Sequence, residues 1–331
     1  MPQVSIIIPA YNAADTIGYT IEDILRQSFT DYELIIVNDG SKDETESVCQ
    51  GYALADNRII IINQENGGPS IARNHGVQIA NSNYITFVDA DDRIEEKYLE
   101  YLFKALKDNA VDMVCGRTDR VKEGFVPTGC TDEYKVYVLN QKESLREMLT
   151  GKRITVGPCH RLTPKDWYIE SPFLEGKKYE DLSNTYKLHL KANSVALVDV
   201  CIYHYVMRGG SITGSKVVSA RQCENYFEAI SLCSNDILER YSELAQDVAV
   251  LKYRDYMSLY LLIGRCSDRN ERLNDIKRDL QIWCKKNWKS AFSNSMAPLS
   301  VRLRVLLFRI SPAMYKKIYY VGIRFKGKAI S

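Results

Sequence analysis

Four short polar clusters carry the residue types from which chemistry can be built: Pro9-Ala10-Tyr11-Asn12, Asn38-Asp39-Gly40-Ser41, Asn66-Gly67-Gly68 running on to Arg73-Asn74, and Asp89-Ala90-Asp91-Asp92. The last is the sharpest. Alternate side chains of an extended segment share a side, so Asp89 and Asp91 aim two carboxylates the same way. Hard cations such as Mg2+ or Mn2+ prefer oxygen ligands of this kind and take further oxygens from substrate phosphates. Gly67-Gly68-Pro69 opens a helix whose unpaired N–H groups suit an anion. A second acidic pair, Glu180-Asp181, stands at the start of a later helix. Each feature alone also has a plain reading. Asn, Asp, Gly and Ser favour turns for local reasons, and acids at a helix start complement its dipole.

The elements that must position these clusters are legible as a pattern. Val4–Pro9, Glu33–Asn38, Ile59–Asn63 and Tyr84–Asp89 read as buried strands rich in β-branched residues, with Val111–Gly116 as a fifth. Between them run helical patterns. One begins near Asp15, placed to cap it, with Ile17, Ile21, Ile24 and Leu25 on one face. The next follows Ser41 and Glu44, which have capping-box spacing. Others span Ser70–Ala80 and about Glu95–Asp108. Such alternation implies βαβ units, a mostly parallel sheet, and ligands at the carboxyl ends of the strands, where all four clusters fall. A helix near Gln141–Leu149, another over Asp181–Lys191 and a strand over Val195–Tyr205 follow. Helices over Ser219–Tyr241, Leu244–Cys266 and Asn270–Lys286 come after the Gly209-Gly210 loop.

Taken together, the motifs resemble family 2 of the glycosyltransferases, whose nucleotide-binding domain has the GT-A fold. The matching pieces are P-A-Y-N, V-N-D-G-S-K-D around Asp39, G-G-P-S-I-A-R-N around Arg73, V-D-A-D-D around Asp89 and K-Y-E-D-L around Asp181. They span roughly the first 210 residues. The resemblance implies an α/β, Rossmann-like GT-A domain over 1–212, with a nucleotide-binding half at 1–115 and an acceptor and catalytic-base half at 116–212. A helical region at 213–295 and a basic amphipathic tail at 296–331 complete the expected organisation.

The same resemblance implies an inverting, metal-dependent hexosyltransferase that uses a UDP-sugar. Asp91 would bind Mn2+ or Mg2+, and Asp89 the metal or the ribose. Pro9, Tyr11, Asn12, Asp39, Gly67, Arg73 and Ala90 would line the nucleotide-sugar pocket, with Tyr11 against the base and Asp39 accepting from a uracil ring N–H. Asp181 would be the base that takes the acceptor hydroxyl's proton, with Glu180 as the alternative. Inversion needs such a carboxylate, commonly worth about 10²–10⁴ in rate. His204, between two tyrosines, is a further candidate metal ligand or a packed, hydrogen-bonded residue. Arg208 and the Gly209-Gly210-Ser211 loop are candidates for the diphosphate. Cys159-His160-Arg161-Leu162 departs from the family's lysine-leucine-aromatic run, so its acceptor-side residues do not carry over.

Composition bounds the rest. The chain has 331 residues and a net charge of +2. Met296–Ser331 holds eight basic residues and no acidic one, which leaves 36 basic against 42 acidic elsewhere. A uniformly basic nucleic-acid binder would not divide its charge this way. The nine cysteines are scattered with no CxxC pair, which fits a reducing compartment. Val4–Ile8 is too short for a signal-peptide core, and no apolar run approaches a spanning helix. These features point to a cytoplasmic protein. Pro312–Lys326 places Met314, Tyr315, Ile318, Gly322 and Phe325 on one helical side, the pattern of a peripheral helix on an anionic membrane or of a helix docked on the body. The implied acceptor is a lipid-linked oligosaccharide of a bacterial capsule, exopolysaccharide or cell-wall polymer.

Other classes fit less well. No G-x-G-x-x-G follows the first strand, which argues against a nicotinamide dehydrogenase. An aspartyl-phosphate phosphatase would carry its acidic motif on the first strand rather than the fourth. The remaining alternative is a non-catalytic nucleotide-sugar-binding subunit of a membrane glycan-assembly complex, which would need Tyr11, Asp39 and Asp91 but not Asp181.

Overall fold

The computed structural model describes residues 1–129, 133–208 and 218–328, with side chains described through Val321. The Gly209-Gly210-Ser211 loop lies outside the described residues. The chain divides into two compact units, one of Met1–Leu145 with Arg153–Gly214 and one of Arg146–Lys152 with Ser215–Ser331.

The first unit is built on a nine-stranded sheet. Its first half alternates strand and helix in the order β1 (Val4–Ala10), α1 (Ala14–Leu25), β2 (Tyr32–Asp39), α2 (Thr45–Ala55), β3 (Ile59–Gln64), α3 (Pro69–Ile79) and β4 (Tyr84–Phe87). Val4, Ile6, Ile7, Ile8 and Leu34 to Val37 are all buried, the unbroken apolar signature of strands covered on both faces. These strands pair in parallel in the order β3-β2-β1-β4. The carboxyl ends of β1, β2 and β4 therefore share one edge, and the first, second and fourth polar clusters follow them there.

The second half adds β5 (Arg93–Ile94), α4 (Tyr98–Asn109), β6 (Met113–Lys122), β7 (Val136–Asn140), α5 (Gln141–Thr150), β8 (Arg161–Pro164), α6 (Lys165–Glu170), α7 (Glu180–Lys191) and β9 (Ser194–Met207). β8 is antiparallel to both β4 and β6. β6 and β9 form a long parallel ladder with a register shift at Gly116–Thr118. A Cβ on Gly116 would come within 2.3 Å of Ile202 Cδ1, so the Ile202 side chain fills the space that glycine leaves at that point. Strands β5 and β7 pair antiparallel to β9. The sheet is mixed, with parallel long ladders and helices around it.

Two expected caps are corrected. Asp15 does not cap α1; the Ala13 and Ala14 amides donate instead to Thr45 Oγ1 and Asp43 Oδ2 at 2.7 and 3.1 Å. Ser41 and Glu44 form no capping box, because Ser41 Oγ accepts from the Asn12 amide and Asp43 Oδ1 accepts from the Thr45 amide. The cap of each helix is thus used to tie the loops after β1 and β2 together.

The second unit carries α8 (Ala220–Arg240), α9 (Ala245–Ile263), α10 (Glu271–Ser293), α11 (Leu299–Ile310) and α12 (Pro312–Lys328). Helix α9 buries residues on all sides, the mark of a central helix. Tyr253, Tyr256 and Tyr260 meet Trp283 and Phe308 in an aromatic core. Ser219 and Asn270 cap α8 and α10 by accepting from Gln222 and Leu273 amides. Among the described residues no helix is long and apolar enough to cross a membrane.

Candidate active site

The loop after β1 turns at Asn12, whose φ of 48° is left-handed, a strain that Asn tolerates and that persists only where surroundings enforce it. Here the Lys42 amide donates to Asn12 Oδ1 at 2.7 Å, and the Asn12 amide donates to Ser41 Oγ at 3.0 Å. Tyr11 is left with 51% of its surface exposed, a ring free to lie against a planar ligand. Pro9, one residue before the end of β1, is half-buried.

Asp39 ends β2 and is buried. Its Oδ1 accepts from Gln64 Nε2 at 2.7 Å and from the Gly67 amide at 2.8 Å, and its Oδ2 accepts from the Gly68 amide at 2.8 Å and Asn66 Nδ2 at 3.3 Å. A carboxylate offers about four acceptor positions, so the Gly67-Gly68 loop fills Asp39. Gly68 at φ 88° then leads into α3 with Pro69 in its first turn. In the structure Asp39 organises the loop that starts α3.

One turn into α3, Arg73 is buried. Its Nη2 donates to Asp89 Oδ1 and its Nη1 to Glu180 Oε1, each at 2.9 Å, and its guanidinium lies 5.5 Å from the centroid of the Phe173 ring. Burial disfavours the charge, but Asp89 and Glu180 outweigh it and hold the guanidinium's pKa above its usual value. Three distant stretches of chain thus meet within two hydrogen bonds of one side chain.

The loop after β4 is held from both sides. Thr16 and Thr20 of α1 donate to the carbonyls of Ala90 and Asp92 at 3.0 and 2.9 Å. From β9, Tyr203 Oη donates to Asp92 Oδ2 at 2.6 Å and accepts from the Asp89 amide at 3.2 Å, while the Val206 amide reaches Asp92 Oδ1 at 2.9 Å. Asp92 is buried, and burial, then the charge of Asp89, pushes its pKa up to about 8. It is a positioning group. Asp91 keeps half of its side-chain surface exposed and pairs with Arg208 Nη1 at 2.9 Å. Its pKa is raised by burial and by the charge of Asp89.

Asp89 and Asp91 offer oxygen ligands only, and among the described residues no group of three or more His, Cys, Asp or Glu side chains could hold a metal ion. That donor set fits a hard divalent cation that draws its remaining ligands from phosphate and water. Each carboxylate already faces a cation, Asp89 through Arg73 and Asp91 through Arg208, and Asp89 raises the pKa of Asp91. A divalent ion between them would relieve that repulsion.

His204 is not placed to be a ligand. Its Nε2 meets Glu95 Oε1 at 2.8 Å and its Nδ1 meets Asp119 Oδ1 at 2.7 Å, so both ring nitrogens are spent. Successive residues of a strand point to opposite faces. Tyr203 takes the face of the Asp89 loop, and His204 takes the other, against Phe125 at 4.6 Å between ring centroids. The parity of β9 could have identified Tyr203 as the residue to choose.

Glu180 and Asp181 open α7, just after Tyr179, whose φ of 65° is left-handed. Of the two acids, Glu180 is the one Arg73 holds. Asp181 is half-buried, and its Oδ1 accepts from the Leu182 amide at 2.7 Å. Cys159, buried and bridged to Phe87, lies in this region too. Burial and the charge of Asp89 raise its thiol pKa well above the ordinary value, so it packs as a neutral group. The network joins a cation-suited pair of acids, a buried arginine between two carboxylates, and Asp181 next in sequence to the second of them. Such a set of groups has the chemistry to hold a cation against a phosphate and to take up a proton.

Residues 5–168 match the model of glycosyl transferase family 2. Glycosyltransferase GlyG of Streptococcus pneumoniae is 28% identical over 63% of this chain and 72% of its own length. The putative glycosyltransferase EpsH of Bacillus subtilis is 28% identical over 98% of both chains. Among solved structures, S. aureus TarS residues 1–349 in complex with UDP-GlcNAc share the fold with a TM-score of 0.65 at 19% identity, covering 97% of this chain and 92% of that one. A mannosyltransferase from Pyrobaculum calidifontis in complex with GDP-Man and Mn2+ shares it at a TM-score of 0.57 and 15% identity, covering 95% and 85%.

Proposed function

The chain belongs to glycosyl transferase family 2 through residues 5–168, and on that premise we propose that it transfers a hexosyl or N-acetylhexosaminyl group from a UDP-sugar to a glycan acceptor with inversion at the anomeric carbon. The observation that carries this reading is the bridge Asp89–Arg73–Glu180, which brings the acids suited to a cation beside the acidic pair that opens α7.

Asp91 and Asp89 are the residues that would hold Mn2+ or Mg2+. When bound, the ion supplies Lewis-acid neutralisation of the leaving diphosphate. Arg73 does not compete for that role, since both of its terminal nitrogens are engaged; it keeps Asp89 and Glu180 in register. Arg208, paired with Asp91, is the cation placed to turn to the diphosphate. Asp181 takes the proton of the attacking acceptor hydroxyl, and Glu180, neutralised by Arg73, orients the start of α7. Tyr11 stacks on the base. Asp39 accepts a ring N–H of uracil by releasing one of its four present donors, of which the Asn66 side-chain amide at 3.3 Å is the longest. Pro9, Asn12 and Ala90 form the backbone of the same edge.

The choice of UDP is supported by the UDP-GlcNAc complex of TarS, and the choice of a divalent cation by the Mn2+ complex of the mannosyltransferase. A lipid-linked oligosaccharide of a bacterial polysaccharide is the acceptor class proposed, with the basic residues after Met296 holding the protein at the inner face of the membrane. The test is release of the nucleoside diphosphate from a panel of UDP- and GDP-sugars with Mn2+, with and without a chelator. Chelator-sensitive release from a UDP-sugar supports the reading. Release from GDP-sugars alone would overturn the donor, and chelator-insensitive release the metal.

A further inference from the structure

Helices α11 and α12 are docked by one face and apolar on the other. Val301, Val305 and Phe308 of α11 are buried, and Tyr315 of α12 is buried against Phe308 at 5.3 Å between ring centroids. Tyr315 therefore faces inward, apart from Met314 and Ile318, with which the sequence pattern grouped it. The opposite face of α11 carries Leu299, Leu303 and Ile310, exposed to 66, 57 and 70%. In α12, Met314, Ile318 and Val321 are exposed at spacings of four and three residues, again a single helical stripe. Singly exposed aliphatic side chains are normal, but two successive helices that each spend a full face on them are not.

The flanks of these stripes are cationic. On α11, Arg304 lies to one side and Arg302 and Arg309 to the other, and the two latter stack their guanidinium groups on Phe292 and Trp288 at 5.1 and 4.1 Å. Lys317 of α12 is exposed beside its stripe. No acidic residue occurs anywhere from Met296 to the end of the chain. An aliphatic stripe that enters the acyl boundary, with long cationic side chains reaching out to phosphates along its edges, is the arrangement of an interfacial helix. We propose that α11 and α12 together form a surface that binds an anionic lipid bilayer, with α11 as the main contact. A second copy of the chain fits the same surface poorly, because a self-complementary interface would set these cations against one another. The inference deepens the proposed membrane-side acceptor but rests on this surface alone, independent of the donor chemistry.

The test is flotation of the full chain with vesicles of phosphatidylglycerol and phosphatidylcholine, against vesicles of phosphatidylcholine alone. The variants are Leu303→Glu with Ile310→Glu on the outer face of α11, and Arg304→Glu on its flank. Partitioning to the phosphatidylglycerol vesicles should exceed that to pure phosphatidylcholine by on the order of tenfold, and fall by about tenfold or more in the Leu303/Ile310 pair. Release of UDP and the melting temperature should stay as in the parent, because these side chains are exposed, so loss of vesicle binding with intact donor chemistry separates this claim from the enzyme's. Equal partitioning of parent and variant would overturn it. So would a parent that ignores both vesicles but forms a dimer that the variant abolishes.

Discussion

Arg73 is the perturbation from which most can be learned. Its guanidinium makes two charge-assisted hydrogen bonds of 2.9 Å, to Asp89 and Glu180, from a side chain only 6% exposed. Lysine in its place is a point charge and can serve one carboxylate well but not both. Bonds to charged groups contribute about 1.5–3 kcal/mol each. Asp89 keeps 32% of its side-chain surface against 14% for Glu180, so solvent offsets more of the first loss than the second. If transfer depends on the bridge, Arg73→Lys should lower kcat/KM by about 10- to 100-fold, the equivalent of that one bond. Glu180→Gln removes the charge of the same pair and should cost a similar factor. The decisive quantity is their combination. Since both variants break one interaction, the double variant should be about tenfold less impaired than the product of the single effects. Effects that multiply cleanly would show that the bridge does not connect the acidic loop to α7, and would refute the reasoning.

The remaining predictions concern other parts of the site and the fold. Tyr203→Phe removes the hydroxyl that serves both Asp92 and the Asp89 amide, so the Mn2+ concentration needed for half-activation should rise about tenfold or more, as for other residues that orient metal ligands. In the same assay His204→Gln should leave that concentration unchanged, because Glu95 and Asp119 take both ring nitrogens; a rise would restore His204 as a ligand. His160 and His189 are buried, and burial followed by the charge of Arg161 holds both pKa values well below the ordinary histidine value. They are neutral in the fold and protonate in the unfolded chain below pH ~6.5. Stability should therefore fall as pH drops below that value, by up to about 1.4 kcal/mol per pH unit for each histidine. Urea midpoints measured across that range should show a shallower decline in His189→Gln, and an unchanged slope would remove His189 from the explanation.

The strand-and-helix alternation of the first 90 residues was legible because buried parallel strands leave unbroken apolar runs such as Leu34–Val37, which no surface helix shares. Shorter pieces were not. β5 has two residues and β8 four, lengths at which periodicity carries no signal and only pairing with β4, β6 or β9 makes a strand. β6 runs on to Lys122 because it follows β9 past Gly116, although Arg117–Lys122 is polar. α11 escaped notice for the opposite reason. It is apolar on two faces, so no single-sided stripe marks it. In the site, residue types identified the acids but not their partners. Asp39, Asp43 and Ser41 each join one loop to another, and the role of Tyr203 depends on strand parity. What the motifs could not convey was the order of contact, in which Arg73 joins Glu180 to Asp89.

Asp181→Asn offers the most direct measurement of the central claim. The variant should bind UDP and Mn2+ in a calorimetric titration within about twofold of the parent, since an amide keeps the shape of the carboxylate, while the rate of sugar transfer falls by about 10²–10⁴. Transfer at the parent's rate would mean that the acid opening α7 does not take the acceptor's proton, and the arrangement described here would need another base.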